Sequence, residues 1–395
     1  MSPTVSDVSQ PQAPGRDAFE EFSSAVFAAL PRADQRRWAE VYLQGLLTLD
    51  GRKSIRRMAE RQPGWGADAT QSLQHFVNQS PWDWSRVSEA VGSWVTSVSA
   101  PRAWVVETAV IPKRGTHSVG VCRRYSADQG RAVNGQFGMG GFIATDLEAL
   151  PVEWRLVLER GWTSDAPRKS RARIPAGDRA RPLWEYVLEV AGADCRPGPP
   201  ATVPVVTDLR DELGVDQLIM ALRERRDQFV VGVGMSRWNL ARVHPADPRH
   251  GAPGQQRGTP PAGGSEQGSC PVGPADGDGG EVRRTQFASQ PVRLPGGSVD
   301  SVGRVYWMTP EDAADDPLPH RYWITNITHL GTHGIVELVS HLQRAKRCVR
   351  ALAEEFGMCD FEGRSFPGWH HHMTLVSAAC VCRRTTGGPG PATRD

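Results

Sequence analysis

The chain has 395 residues, 46 Lys and Arg against 44 Asp and Glu, seven cysteines and a mean hydropathy of -0.42. A nearly balanced charge excludes bulk polycation character as the basis of any nucleic-acid binding, and no apolar run reaches the roughly 18 residues of a membrane span. The length calls for two or three folding units.

The start, MSPTVSDVSQPQAPG, is polar and proline-bearing and lacks the apolar centre of a signal peptide, so a cytoplasmic protein with no membrane partner is expected. Residues 1–15 are expected to be disordered. From 16 to 100 the apolar residues recur at three and four, in FEEFSSAVFAAL, QRRWAEVYLQGLLTL, TQSLQHFVNQ and WSRVSEAVGSWVTSV. This predicts an all-helical N-terminal domain whose tryptophans Trp38, Trp65, Trp82, Trp84 and Trp94 belong to its core. At Ala103 the pattern turns β-prone: AWVVETAVI, SVGVCRRY and QFGMGGFIATD predict three strands in an antiparallel meander. Residues 148–195 read as a basic loop (162–175) and one helix, RPLWEYVLEVAG. A strand, TVPVVTDL, follows and ends near Asp208; then come a helix over 216–226 and the strand QFVVGVG.

Alternation of strands and helices over 101–240 implies an α/β fold with a mixed sheet. The stretch 246–281 is rich in Pro, Gly, Ser and Gln and too poor in apolar residues to order itself. It is expected to be a disordered part of an insertion spanning 241–330, whose strand-like pieces at 282–293, 302–308 and 321–327 form a β subdomain. Helices over 334–356 and 369–382 are expected to complete the core within 331–383, and 384–395 to be a disordered tail. The cysteines show no disulfide framework, and Cys380-x-Cys382 without a second pair reads as buried thiols.

Between the last two helices lies the densest polar and aromatic cluster, FEGRSFPGWHHHMTL. Together with WVVETAVIPKRGTHSVGVCRRYS, NGQFG, GWTSD, IP at 174–175 and VVTD, in this order, it resembles insertion-sequence transposases of the DDE endonuclease superfamily. The resemblance runs from about Phe19 to Ala379. It implies an RNase H-like mixed sheet flanked by helices and interrupted by an insertion. It also implies strand cleavage and transfer on double-stranded DNA at element ends and target, with Mg2+ as cofactor, by a nucleoid-associated homodimer.

Three catalytic positions are carried over. The first acid falls on Glu107, in Glu107-Thr108-Ala109-Val110-Ile111 where relatives have Asp-Asp-Thr-Gly-Phe, and the second on Asp208. These two are the expected metal ligands. The third lies sixteen residues before Glu362 and is Lys346, an ammonium that cannot ligate magnesium. The expectation is therefore an impaired transposase or a catalytically inactive DNA-binding derivative, unless Glu354 or Glu362 supplies the missing carboxylate. Lys113, Arg123 and Arg364 read as phosphate contacts by resemblance, or as exposed ion-pair partners. Three consecutive histidines spread by about 100° each around a helix and cannot converge on one metal. His370 and His371 are expected to face DNA.

Overall fold

The computed structural model describes residues 15–61, 66–126, 130–199, 202–209, 214–234, 266–272, 283–294, 302–310 and 321–387. Five helices come first: α1 (Arg16–Phe27), α2 (Ala33–Thr48), α3 (Ile55–Glu60), α4 (Gly66–Asn78) and α5 (Trp84–Val98). Apolar residues four apart meet the core, as Val87, Val91 and Val95 of α5 do with no exposure. Capping follows the sequence: Ser54 Oγ accepts from Arg57 N, and Asp83 Oδ1 accepts from Ser85 N.

The sheet then begins with β1 (Ala103–Pro112), β2 (Cys122–Ser126), β3 (Arg131–Ala144) and β4 (Ala149–Leu156). After the short helices α6 (Arg160–Thr163) and α7 (Ala166–Arg171) come α8 (Leu183–Ala191), β5 (Val205–Asp208), α9 (Val215–Glu224) and β6 (Phe229–Val233). Strands β7 (Glu266–Val272), β8 (Arg283–Arg293), β9 (Val302–Pro310) and β10 (Arg321–Thr325) precede the long helices α10 (Thr332–Glu354) and α11 (Phe366–Thr386).

All ten strands form one sheet in the order β2-β3-β1-β5-β6-β10-β9-β8-β7, with β4 also paired to β3. Strands β1, β5 and β6 run parallel, and the other pairings are antiparallel. Helix α8 covers one face, where Trp104 Nε1 donates to Val190 O at 3.1 Å. Gly141 makes that approach possible, since a Cβ there would lie 2.4 Å from Trp104 Cζ2. On the opposite face, Trp154 Nε1 donates to Ser377 Oγ of α11 at 2.8 Å. Every residue of α11 from Gly368 to Cys382 is buried, because α1, α2, α4 and α5 close around it while β4 supports it from beneath.

The structure differs from the sequence reading in several places. The first three strands do not form the expected meander, because β3 lies between β1 and β2 and pairs with both. Helix α7 and the end of α6 lie in the stretch read as a basic loop. Strand β4 lies in 149–156, to which no strand was assigned; Pro151 breaks the apparent strand signal, yet it sits beside the register shift at Gly141 and Phe142, where a proline costs no ladder bond. Within the stretch expected to be disordered, residues 266–272 form β7. This strand sits at the end of the sheet order and is held by backbone pairing to β8. The rest of 246–281 lies outside the described residues, as do residues 1–14 and 388–395. Strands β8 to β10 are not a separate β subdomain, since β10 pairs directly with β6. Finally, α11 extends through Thr386, into the expected tail.

One buried ion pair locks the start of β6. Asp227 is fully buried, and its Oδ1 lies 2.5 Å from Arg196 Nη1, while Arg225 Nε stands 3.2 Å from Oδ2. Arg196 also donates to Ala191 O and Val203 O, tying the end of α8 to the strand entry of β5. Asp227→Ala leaves a buried guanidinium without its counter-charge and is expected to cost about 3–5 kcal/mol in urea unfolding. A loss below about 1 kcal/mol would show that the pair contributes no more than an exposed one.

Candidate active site

Glu107 lies in the middle of β1, opposite Gly140 of β3, and is 7% exposed. Its Oε1 accepts from Thr108 N at 2.9 Å. Strands β1 and β5 pair in parallel register, with Val106 against Thr207, so the next step along both strands sets Glu107 beside Asp208. In-register residues of neighbouring strands share a face about 4.8 Å apart. The Asp208 carboxylate leans towards β6, into space left by Gly232, where a Cβ would lie 2.9 Å from its Oδ1.

Helix α10 packs across β1 and β5 and brings Lys346 to this point. Lys346 Nζ stands 4.0 Å from Glu107 Oε2, with the lysine side chain 18% exposed. The structure therefore brings together the three positions read from the sequence, as two carboxylates and one ammonium. This donor set does not fit a pair of divalent cations, because the third position carries a positive charge instead of an oxygen ligand. Among the described residues no group of three His, Cys, Asp or Glu side chains is arranged to hold a metal ion. Neither alternative acid enters the site: Glu354 is exposed at the last turn of α10, and Glu362 is exposed and ion-paired with Arg52.

Lys113 is not a free phosphate contact, since its Nζ donates to Phe361 O at 2.8 Å and reaches Cys359 O at 3.5 Å. It clamps the end of β1 to the loop before α11, and burial draws its pKa below the ordinary lysine value.

His370 and His371 do not face DNA either. All three histidines are 1% exposed, because α11 is enclosed on every side. His370 Nδ1 lies 2.9 Å from Phe366 O, which places its proton there, and its ring stacks on Trp84. His372 Nε2 lies 3.1 Å from Gly357 O, so it carries the proton and Nδ1 accepts from Tyr42 Oη at 2.9 Å. His371 meets two carbonyls, Val77 O at 2.8 Å from Nδ1 and Trp82 O at 3.0 Å from Nε2, under the stacked Trp82 ring. The spread of about 100° per residue thus sends each ring to a different neighbour. Nothing in the local spacing pointed to Tyr42 or Arg52 as partners, which lie 330 and 310 residues from theirs. Arg123 and Arg364 are exposed, as a phosphate contact requires.

No curated protein matches the chain. The family model described as DDE superfamily endonuclease matches residues 25–274, which takes in α2 to α5, β1 with Glu107, β5 with Asp208 and the strands between them. The chain belongs to the DDE superfamily endonuclease family.

Proposed function

We propose that this chain is a DNA-binding protein of the insertion-sequence transposase type whose strand-cleaving activity is impaired by the residue at its third acidic position. Members of the superfamily generally act on DNA with divalent metal ions. The order β3-β1-β5-β6, with β1, β5 and β6 parallel and β3 antiparallel, supports an RNase H-like core. In an intact site of this type Mg2+ is the fitting ion, because hard carboxylate oxygens hold it. The substrate is double-stranded DNA at element ends and target, handled in the cytoplasm at the nucleoid by a homodimer that pairs two ends. No helix among the described residues is long and apolar enough to cross a membrane.

The observation that carries the impairment is the 4.0 Å approach of Lys346 Nζ to the nearly buried Glu107 carboxylate. Where active relatives need a third oxygen ligand, this chain already neutralises the first one. A retention assay on duplex DNA across a salt series, paired with a nicking assay in Mg2+ or Mn2+, tests both halves of the reading. The expected result is salt-sensitive binding with nicking no greater than in chelator. Metal-dependent nicking that Glu107→Gln abolishes would overturn the impairment, and absence of binding at low salt would overturn the DNA partner.

A further inference from the structure

We infer that Cys348 and Cys380 are a reversible dithiol, oxidised by low-molecular-weight disulfides to a bond that ties α10, the helix carrying Lys346, to α11. The bond concerns the redox chemistry of the chain and does not depend on DNA binding or cleavage.

Contact is the first observation. Both cysteines are free thiols, and their Sγ atoms stand 3.8 Å apart although the residues are 32 positions apart in the chain. An S–S bond is about 2.05 Å long, so the sulfurs must close by roughly 1.8 Å, and each cysteine side chain turns about a single χ angle to do so. The neighbouring Cys382 is not the partner. Residues two apart on a helix project about 200° apart, so Cys380 and Cys382 cannot bond to each other. Cys382 meets the Thr386 hydroxyl at 3.9 Å, and Cys195 meets the Glu153 carboxylate at 3.5 Å. Cys348 is thus the second sulfur that the C-x-C motif lacks in the local sequence.

Access and charge are the second. Cys380 is fully buried, while Cys348 is half-buried and is the sulfur that a small oxidant reaches first. Hydrogen bonding with Cys380 and burial push the Cys348 thiol well above the ordinary cysteine value. Arg384, one turn after Cys380 and paired with Glu148 Oε1 at 3.0 Å, opposes that shift. The pair is therefore held as thiols at neutral pH, and because the thiolate is the attacking form, oxidation takes the minutes to hours of uncatalysed exchange. In a reducing compartment the dithiol is the resting form, and the bond forms when small disulfides accumulate.

Oxidation balances over two exchanges. Cys348 Sγ attacks one sulfur of the small disulfide, whose S–S bond breaks, and one thiol leaves with the proton of Cys348. Cys380 Sγ then attacks Cys348 Sγ, the mixed bond breaks, and the second thiol leaves with the proton of Cys380. Two electrons and two protons have passed from the cysteine pair to the oxidant. The consequence lies on α10. Lys346 and Cys348 leave opposite flanks of the buried stripe formed by Leu342, Ala345 and Leu352. Lys346 reaches Glu107 on one flank, and Cys348 reaches α11 on the other. A bond at Cys348 fixes the helix at the level of Lys346 and keeps the ammonium against the Glu107 carboxylate.

The test uses the full chain in native buffer with oxidised glutathione as the probe, followed by acid quench, alkylation and a digest without reductant. The expected product is a cross-link between the peptide holding Cys348 and the peptide holding Cys380, about 2 Da lighter than the two together and reversed by dithiothreitol. The cross-linked chain should melt roughly 5 °C or more higher, and amides in the second half of α10 should exchange more slowly. Cys348→Ala and Cys380→Ala should each remove both changes, and Cys382→Ala should retain them. The digest of the native chain decides the bond even if a variant fails to fold. A glutathione adduct that stays on Cys348 without a cross-link overturns the bond, as does a cross-link through Cys382 or one that forms only in urea. A cross-link that leaves melting and exchange unchanged overturns its hold on α10.

Discussion

Acidification from pH 7 to pH 4 is expected to unfold the protein, and to do so above the range in which carboxylates alone titrate. Four imidazoles, those of His341, His370, His371 and His372, are 1% exposed. Burial draws His370 from 6.5 down to about 3, and His341, His371 and His372 down to about 4. In the unfolded chain each ring takes up a proton near 6.5. Between about pH 6.5 and 4 the unfolded state therefore holds more protons than the native one, and stability must fall as pH falls through that window. A fall from 6.5 to about 4 corresponds to roughly 3 kcal/mol per ring, so four rings together rival the roughly 5–15 kcal/mol that holds a typical domain folded.

The rings do not contribute equally. His370 and His372 each have one nitrogen that donates to a carbonyl, and a second proton finds no equivalent place; in His372 it would displace the Tyr42 hydroxyl as donor. His371 faces carbonyls at both nitrogens and lies under Trp82, an arrangement that favours its charged form and offsets part of the burial cost. Because Trp82 and Trp84 stack on His371 and His370, tryptophan emission and ellipticity should change together on acid titration. His372→Gln should cut proton uptake on unfolding at pH 5 by close to one. A melting temperature that stays constant from pH 7 to pH 4.5 would show that these rings are not held neutral.

Legibility in the sequence follows the range of the interactions. Helical periodicity marks α1, α2, α4 and α5, and continuous β-branched runs mark β1, β5 and β6, because these elements bury a face that their own residues define. Strand β4 escapes the same reading because it is buried along nearly its whole length and carries a proline, so neither alternation nor continuity is clear. Strand β7 escapes because its order comes from a partner strand and not from its composition. At the site, counting sixteen residues back from Glu362 leads to Lys346, whose place beside Glu107 depends on the unbroken helix α10. The triple histidine shows the limit of local reading. Polar residues in a row suggest a surface, yet each ring finds a hydrogen-bonding partner inside, two of them on helices that lie hundreds of residues earlier in the chain.

Lys346→Glu is expected to create metal-dependent DNA cleavage where the native chain has little or none, and Glu107→Asp added to it is expected to raise the rate further. Two physical changes act together in this substitution. An ammonium about 4 Å from a divalent cation repels it by roughly 8 kcal/mol at an effective dielectric constant of 20, so the native lysine opposes occupancy of the site. A carboxylate at the same point of α10 supplies the missing oxygen ligand and leaves Glu107 to serve as another. Recovering several kcal/mol of charge stabilisation corresponds to about 100-fold or more in rate. Glu107→Asp matters less because it moves an existing carboxylate by one methylene, although such a site tolerates displacements of only about 0.5 Å. Lys346→Met separates the two effects, since it removes the repulsion without adding a ligand and should remain inactive. Occupancy has its own readout: Mg2+ should raise the melting temperature of Lys346→Glu and leave that of the native chain unchanged, a ligand at about 100 times its Kd being worth about 2.7 kcal/mol. If Lys346→Glu gains Mg2+-dependent stability but no cleavage, the defect lies in the geometry around Glu107 or Asp208. If the native chain nicks DNA as fast as Lys346→Glu with Glu107→Asp, the impairment assigned to Lys346 does not exist.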